Sequence, residues 1–357
     1  MKYFKCALLL LLCGCASHEV TVFDESAWRQ KVEATDSALL YADHTDKDGR
    51  FFNPWLPREA QGFNVMKALS YLLSENDFKP DFPEDNYKHV ENSYDYLNDP
   101  LNESISFAGH ASFIIKMDGQ TIFTDPFFSD KALTVNKKVK LPFDFNKVPD
   151  RPVVLISHNH YDHLDKYSVT QLIKRDAVFI VPLKLGKFLK NQVCPSENIY
   201  ELDWWQSVEL NGIKYTLLPA QHWSKRVTQG SNKTLWGGFM VEGSKTIYFS
   251  GDTGYFKGYK EFGRIYDIDY AILAAGAYIP RQMMHYAHQN VDEFFMAADD
   301  LKAKISIPMH FGIIGLGREP ILYPLWEVEK YIEKNPEYKD KTTPLRVGEY
   351  IATGGNE

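Results

Sequence analysis

The apolar tetrapeptide Val153-Val154-Leu155-Ile156 runs directly into Ser157-His158-Asn159-His160-Tyr161-Asp162-His163-Leu164-Asp165. Three imidazoles and a carboxylate crowd six positions at the exit of what reads as a buried strand. Groups packed that densely repel one another or must be stripped of water at a cost. A divalent cation turns the cost into coordination, and neutral imidazole with carboxylate oxygen suits zinc best. The chain must therefore fold so that a strand tip opens into a crevice shaped to hold metal.

Two imidazoles at His158-x-His160 do not complete a tetrahedral shell, so further ligands are expected at other strand ends. Three places offer them. Gln221-His222-Trp223 follows an apolar run ending at Leu218, Gly251-Asp252-Thr253-Gly254 follows one ending at Ser250, and Met309-His310-Phe311-Gly312 follows Ile305 to Met309. Any one of these histidines alone reads more readily as a surface or satisfied core residue. Their joint occurrence past apolar runs makes the argument.

The pattern becomes regular from about residue 102. Strands are predicted at 105–107, 112–115, 121–124, 153–157, 178–181, 213–218, 236–241, 246–250, 268–273 and 305–309, with Asp118-Gly119 as a hairpin turn. Helical periodicity marks 65–74, 167–174 and 291–301. Strands interleaved with helices predict an α/β fold of two sheets sandwiched between helices. The expected organisation is a removable segment 1–14, a tether and N-terminal extension 15–101 wrapping the main domain, and one catalytic domain 102–357.

These residues resemble the metallo-β-lactamase superfamily, a four-layer αβ/βα sandwich binding two zinc ions. The resemblance is closest to the branch of N-acylphosphatidylethanolamine-hydrolysing phospholipases D. It is carried by Phe107-Ala-Gly-His-Ala-Ser112, Thr124-Asp-Pro-Phe127, Leu155 to Asp165, Glu201-Leu-Asp-Trp-Trp205, Gln221-His-Trp223 with Lys225-Arg226, Asn232 to Gly237, Gly251-Asp-Thr-Gly-Tyr255 and Gly276-Ala-Tyr278. It implies that His158, His160 and His222 hold the first zinc, that Asp162, His163 and His310 hold the second, and that Asp252 bridges them. Asp125 would orient a ligand histidine through its free ring nitrogen; a turn-forming Asp-Pro accounts for it equally well. Asp162, Asp252 and His288 are the expected catalytic residues, with His288 also meeting the substrate phosphate. The bland reading of His288 is an exposed loop histidine. Tyr161 would face the substrate, although packing alone accounts for it nearly as well. Trp204, Trp205 and Trp223 would border a lipid path or sit in the core. Lys225-Arg226 would meet an anionic headgroup or form a solvated pair. His110 would lie near the site, and His285 would be structural.

The resemblance implies a phospholipase D that converts N-acylphosphatidylethanolamine to N-acylethanolamine and phosphatidate. Alternatives are a lactonase, a β-lactamase-like enzyme or another phosphodiesterase on the same metals, and a non-catalytic envelope lipoprotein. No Gly-x-Ser-x-Gly elbow occurs, which argues against covalent acyl chemistry.

The N-terminus bears on location. Lys2 and Lys5 precede Cys6-Ala-Leu-Leu-Leu-Leu-Leu-Cys-Gly14 and then Cys15-Ala16. A basic start, an apolar run too short to span a bilayer and a small residue before the cut form a secretory signal. Leu12-Cys13-Gly14-Cys15 resembles a bacterial lipobox, so Cys15 is the expected lipidation site. A lipid-anchored protein of the bacterial cell envelope, at the outer membrane facing the periplasm, is the expectation. The formal charge of −7 becomes −9 once Lys2 and Lys5 are removed, and such an acidic chain is a poor partner for nucleic acid. The expected partners are a phospholipid substrate and a membrane surface. Beyond the signal only Cys194 remains, which excludes an intrachain disulfide there.

Overall fold

The computed structural model describes residues 23–58, 61, 76, 78–99, 101–140 and 143–354. The signal segment 1–14, the lipidation candidate Cys15 and the helix expected at 65–74 lie outside them. Fifteen strands occur among the described residues: β1 (Ser104–Gly109), β2 (Ser112–Met117), β3 (Gln120–Thr124), β4 (Lys131–Ala132), β5 (Val135–Asn136), β6 (Val153–Leu155), β7 (Val178–Pro182), β8 (Ile199–Leu202), β9 (Ser207–Leu210), β10 (Ile213–Leu218), β11 (Gly238–Glu242), β12 (Thr246–Phe249), β13 (Tyr270–Ala274), β14 (Ile305–Met309) and β15 (Tyr350–Ala352).

They form a seven-stranded sheet, in the order β15-β1-β2-β3-β6-β7-β8, and a six-stranded sheet, in the order β14-β13-β12-β11-β10-β9. The run β3-β6-β7-β8 is parallel, as is β12-β13-β14, and the remaining neighbours in both sheets are antiparallel. Strands covered on both faces read as unbroken apolar runs, and β6 and β7 do so: Val153 to Leu155 and Val178 to Pro182 are buried throughout.

Side-chain parity sorts those runs into layers, because successive residues of a strand point to opposite faces. Val154, Phe179 and Val181 pack with Val169 and Leu172 of helix Lys166–Ile173 on the outside of the first sheet. Leu155 and Ile180 point the other way, into the core shared with Tyr215, Leu217, Phe239 and Phe249 of the second sheet. Each such aliphatic side chain contributes about 1.5–3 kcal/mol on burial. Helix Val291–Leu301 covers the outer side of the second sheet, packing on β13, and opens with a capping box between Asn290 and Glu293. The result is the expected αβ/βα sandwich.

Element boundaries shift where backbone pairing stops before burial does. Strand β6 ends at Leu155; beyond it the Ile156 N–H still donates to the Ile180 carbonyl of β7 and the Ser157 carbonyl accepts from the Gly237 N–H, so the chain runs buried into the site on irregular pairing. Asp118 and Gly119 both take positive φ (51° and 72°), the turn that an Asp-Gly pair favours.

Residues of the N-terminal extension lie on the back of the site. Helix Glu25–Glu33 is capped by the Asp24 carboxylate and buries Trp28 and Val32. Trp205 donates its indole N–H to the Leu40 carbonyl and stacks on Tyr41, while Trp204 donates to the Trp236 carbonyl and stacks on His44. These two tryptophans seat the extension and make no lipid path. No helix among the described residues is long and apolar enough to cross a membrane.

Candidate metal centre

Every expected ligand follows the C-terminal end of a strand: 158–163 follow β6, His222 follows β10, Asp252 follows β12 and His310 follows β14. Sheet order brings those ends together, and the seven side chains form one cluster. The ligating atoms of His158, His160, His222 and Asp252 lie within 4.8 Å of one another, as do those of His110, Asp162, His163 and His310.

In the first group His160 Nδ1 lies 2.8 Å from His158 Nε2 and 3.2 Å from His222 Nε2. In the second, His163 Nε2 is 3.1 Å from Asp162 Oδ2 and 3.1 Å from Asp252 Oδ2. Asp252 stands between the two sets. Its Oδ2 lies 3.9 Å from His158 Nε2 and 3.8 Å from His222 Nε2, and its Oδ1 lies 3.0 Å from His310 Nε2. His163 Nε2, His310 Nε2 and Asp252 Oδ1 are buried and, although these atoms approach to 3.0–3.1 Å, none is aligned for a hydrogen bond. Orphaned buried polar atoms carry a desolvation penalty that a shared cation removes. The donor set fits metal.

Electrostatics prepare the same donors. Burial, reinforced by neighbouring imidazoles, holds His158 and His222 well below the usual histidine range and brings His160 down to about 4. Their ring nitrogens therefore keep free lone pairs. Burial opposes ionisation of Asp162 and Asp252, yet adjacent histidines, His163 first, hold both well below the carboxylate range. His163 is pushed towards neutrality by burial, but the Asp252, Asp162 and Asp125 carboxylates prevail and raise it well above its usual value.

A ring of neighbours fixes these donors. Asp125, fully buried at φ 34°, accepts from His163 Nδ1 at 2.7 Å and from the Ser157 backbone N–H at 2.6 Å. Both readings of this residue therefore coexist: it turns the chain after β3 and orients a ligand histidine. The Ser157 hydroxyl joins Asp125 to His158 Nδ1. His110, buried at φ 59°, lies with Nε2 2.8 Å from Asp162 Oδ2. The Ala287 carbonyl accepts from His222 Nδ1, and Asn53 and Trp55 of the extension donate to the His222 carbonyl and the Gln221 side chain. Gly251 has φ 56°, and a Cβ there would stand 2.5 Å from that of Ser157, so only glycine allows Asp252 this approach. Ser157 and Gly251 fall inside the quoted motifs but their roles, like that of Asn53, do not show in the sequence, because the residue types are ordinary and the roles depend on distant contacts.

The secondary candidates divide. His288 lies in the cluster, its ring 5.4 Å from His222 and 5.1 Å from His310, and its Nδ1 is buried without a partner. Burial lowers it to about 3. His285 is buried beside Phe23, Trp28 and Tyr286 and bonds the Arg281 carbonyl, a structural residue. Tyr161 is half-buried; its hydroxyl accepts from the Val227 N–H, and the Arg226 guanidinium covers its ring at 4.0 Å. Arg226 is buried and donates to the Asn159 and Leu164 carbonyls, so it braces the 158–165 loop instead of meeting solvent. Trp223 packs edge-on against His160. A pocket lined by Ile314, Leu316, Glu319 and Ile321 opens beside His110 and His310.

Two sheets with their ligand-bearing strand ends gathered at one edge define a metal-dependent hydrolase of the metallo-β-lactamase fold. Residues 120–311, over half of the chain, match the Beta-lactamase superfamily domain, and the chain belongs to that superfamily. An uncharacterized protein of Mycobacterium tuberculosis is 31% identical over 261 residues, covering 70% of this chain and 69% of its own. N-acyl-phosphatidylethanolamine-hydrolyzing phospholipase D 1 of Caenorhabditis elegans is 32% identical over 252 residues, covering 66% of this chain and 68% of its own. Among solved structures, a metallo hydrolase of the archaeon Ignicoccus hospitalis shares the fold at a TM-score of 0.53 and 21% identity, over 71% of this chain and 99% of that one.

Proposed function

We propose that the protein is a zinc-dependent phosphodiesterase of phospholipase D type, which hydrolyses N-acylphosphatidylethanolamine to N-acylethanolamine and phosphatidate with two zinc ions per chain. The position of Asp252 carries the reading: one carboxylate faces both donor sets at 3.0–3.9 Å. His158, His160 and His222 would hold one ion, Asp162, His163 and His310 the other, and Asp252 would touch both. When bound, such a pair lowers the pKa of water and offsets charge on phosphoryl oxygens.

The chain's own groups do the rest. Asp252 fixes the direction of attack, and His110 holds the Asp162 carboxylate in place. His288, kept neutral by burial, offers its N–H to a phosphoryl oxygen or to the departing alkoxide. The Caenorhabditis elegans relative's activity supports the same substrate class. A lipid on Cys15, at the outer membrane and facing the periplasm, would hold the enzyme against its substrate and remove a diffusion step.

The test incubates purified protein with N-acylphosphatidylethanolamine, phosphatidylcholine, a lactone and a cephalosporin, followed by mass spectrometry. Release of N-acylethanolamine with phosphatidate is expected. Untouched lipid with an opened lactone or lactam would refute the reading, and metal analysis should return about two zinc per chain.

A further inference from the structure

Strands β4 and β5 form a two-stranded hairpin outside both main sheets. Ala132 pairs with Val135, leaving the two-residue turn Leu133-Thr134 at the tip. Leu133 has φ 51°, and the first position of a two-residue turn with positive φ there alone is one that glycine favours. A leucine in that conformation is strained, and its side chain gains little from the fold: Leu133 is 48% exposed and Val135 is 38% exposed. The hairpin turn itself sets that backbone conformation, so what needs an account is the large apolar side chain held out at its tip.

The surroundings name the chemistry. Lys131, Lys138 and Lys140 are exposed on and after the hairpin, in a chain of formal charge −7. Asp130 pairs with Lys140, but both side chains are more than half exposed, so water screens the pair. Lys137 alone turns inward, its ammonium bonded to the Phe127 carbonyl and lying over that ring. An exposed aliphatic tip with three exposed lysines on and just after the hairpin matches a bilayer whose surface is anionic and whose interior is apolar.

The hairpin also stands at the site. The N–H of Lys138 donates to the Ile313 carbonyl at 2.8 Å, three residues beyond His310, and the Lys138 side chain lies against Gly315. Gly315 and Leu316 belong to the wall of the pocket that opens beside His110 and His310.

We propose that the hairpin 131–136 is a membrane-docking element that inserts Leu133 and Val135 between anionic phospholipid headgroups, with Lys131, Lys138 and Lys140 binding their phosphates. Docking there sets the pocket mouth on the bilayer surface. The proposal rests on the reading of the substrate as a membrane phospholipid.

To test it, an environment-sensitive fluorophore is placed on Thr134→Cys in the protein lacking the signal segment 1–14, with Cys15 replaced by serine and the buried Cys194 retained. Vesicles of phosphatidylcholine with phosphatidylglycerol should shift its emission to the blue, and vesicles of phosphatidylcholine alone should not. Adding Leu133→Gly should raise the lipid needed for half the shift by at least about tenfold, while the melting temperature stays the same or rises as the strain is relieved. No shift on anionic vesicles, an equal shift on neutral ones, or an unchanged response with Leu133→Gly would overturn the proposal. So would a lowered melting temperature, which would place Leu133 in the fold's own packing. These vesicles contain no N-acylated lipid. An intact shift beside failed hydrolysis would therefore remove the substrate reading and leave the docking element standing.

Discussion

The Asp125 carboxylate and the His163 imidazole meet at 2.7 Å with neither side chain exposed to solvent. The contact fixes which nitrogen of His163 is left for a cation, because Nδ1 is engaged by Asp125 and Nε2 alone turns to the cluster. Asp125→Asn would set an amide against Ser157 and His163 and loosen that choice. Metal affinity should fall by about 10–100-fold, measured by competition against a chelator. Unchanged affinity would reduce Asp125 to a turn residue.

Asp252 and His288 differ in rank. Asp252→Asn removes the charge that faces both donor sets, so turnover should vanish and metal content should drop. His288→Ala removes a single partner for the substrate and should only weaken turnover, with metal content kept. Equal activity in the two variants would refute the roles assigned to them.

Metal binding should release a proton from His163. Its pKa in the metal-free fold is raised by three carboxylates, so near neutral pH the cation must displace hydrogen from Nε2. The first group, with His160 at about 4 and His158 and His222 also depressed, has no proton to give. Affinity should therefore weaken as pH falls, at the second set before the first. Calorimetric titration in buffers of different ionisation enthalpy measures the released proton; its absence would show His163 already neutral.

Gly251→Ala should be severe for so small a change. The added methyl would meet Ser157 on a backbone at positive φ, and the chain must move Asp252 to relieve it. A displacement of about 1 Å at a reacting centre costs on the order of a hundredfold in turnover. A near-normal rate in the folded variant would show that this approach is not required.

Arg281 ties the N-terminal helix to the site. It binds Glu25 through Nε and Nη2, Glu293 through Nη2 and the His288 carbonyl through Nη1. Arg281→Ala leaves the buried Glu293 without its cation and should cost about 3–5 kcal/mol in a denaturant titration. Glu25→Ala, at a partly exposed position, should cost clearly less. The reverse order would mean that the clamp acts through the helix alone.

The cluster at 158–163 is legible in the sequence because its meaning is local: four donors within six residues at a strand exit suit a cation and little else. The main strands are legible for a related reason, since burial on both faces writes itself as an unbroken apolar run. The hairpin 131–136 and the edge strands β8, β9 and β15 carry no such run. Their half-exposed residues pair backbone to backbone while composition stays ordinary, so periodicity does not reveal them. Trp204 and Arg226 have side chains that suit several roles, and only their contacts place them in the core and in the brace of the metal loop.

A donor-rich loop leaving a buried strand, and three more donors past apolar runs far along the chain, can be read from residue order alone. That they meet is a result of folding. His222, Asp252 and His310 reach residues 158–163 because β10, β12 and β14 all run in one direction, β10 through its antiparallel neighbour β11, and the two sheets pack face to face. Local spacing is encoded in neighbouring residues, whereas convergence across the chain is a property of how the layers stack.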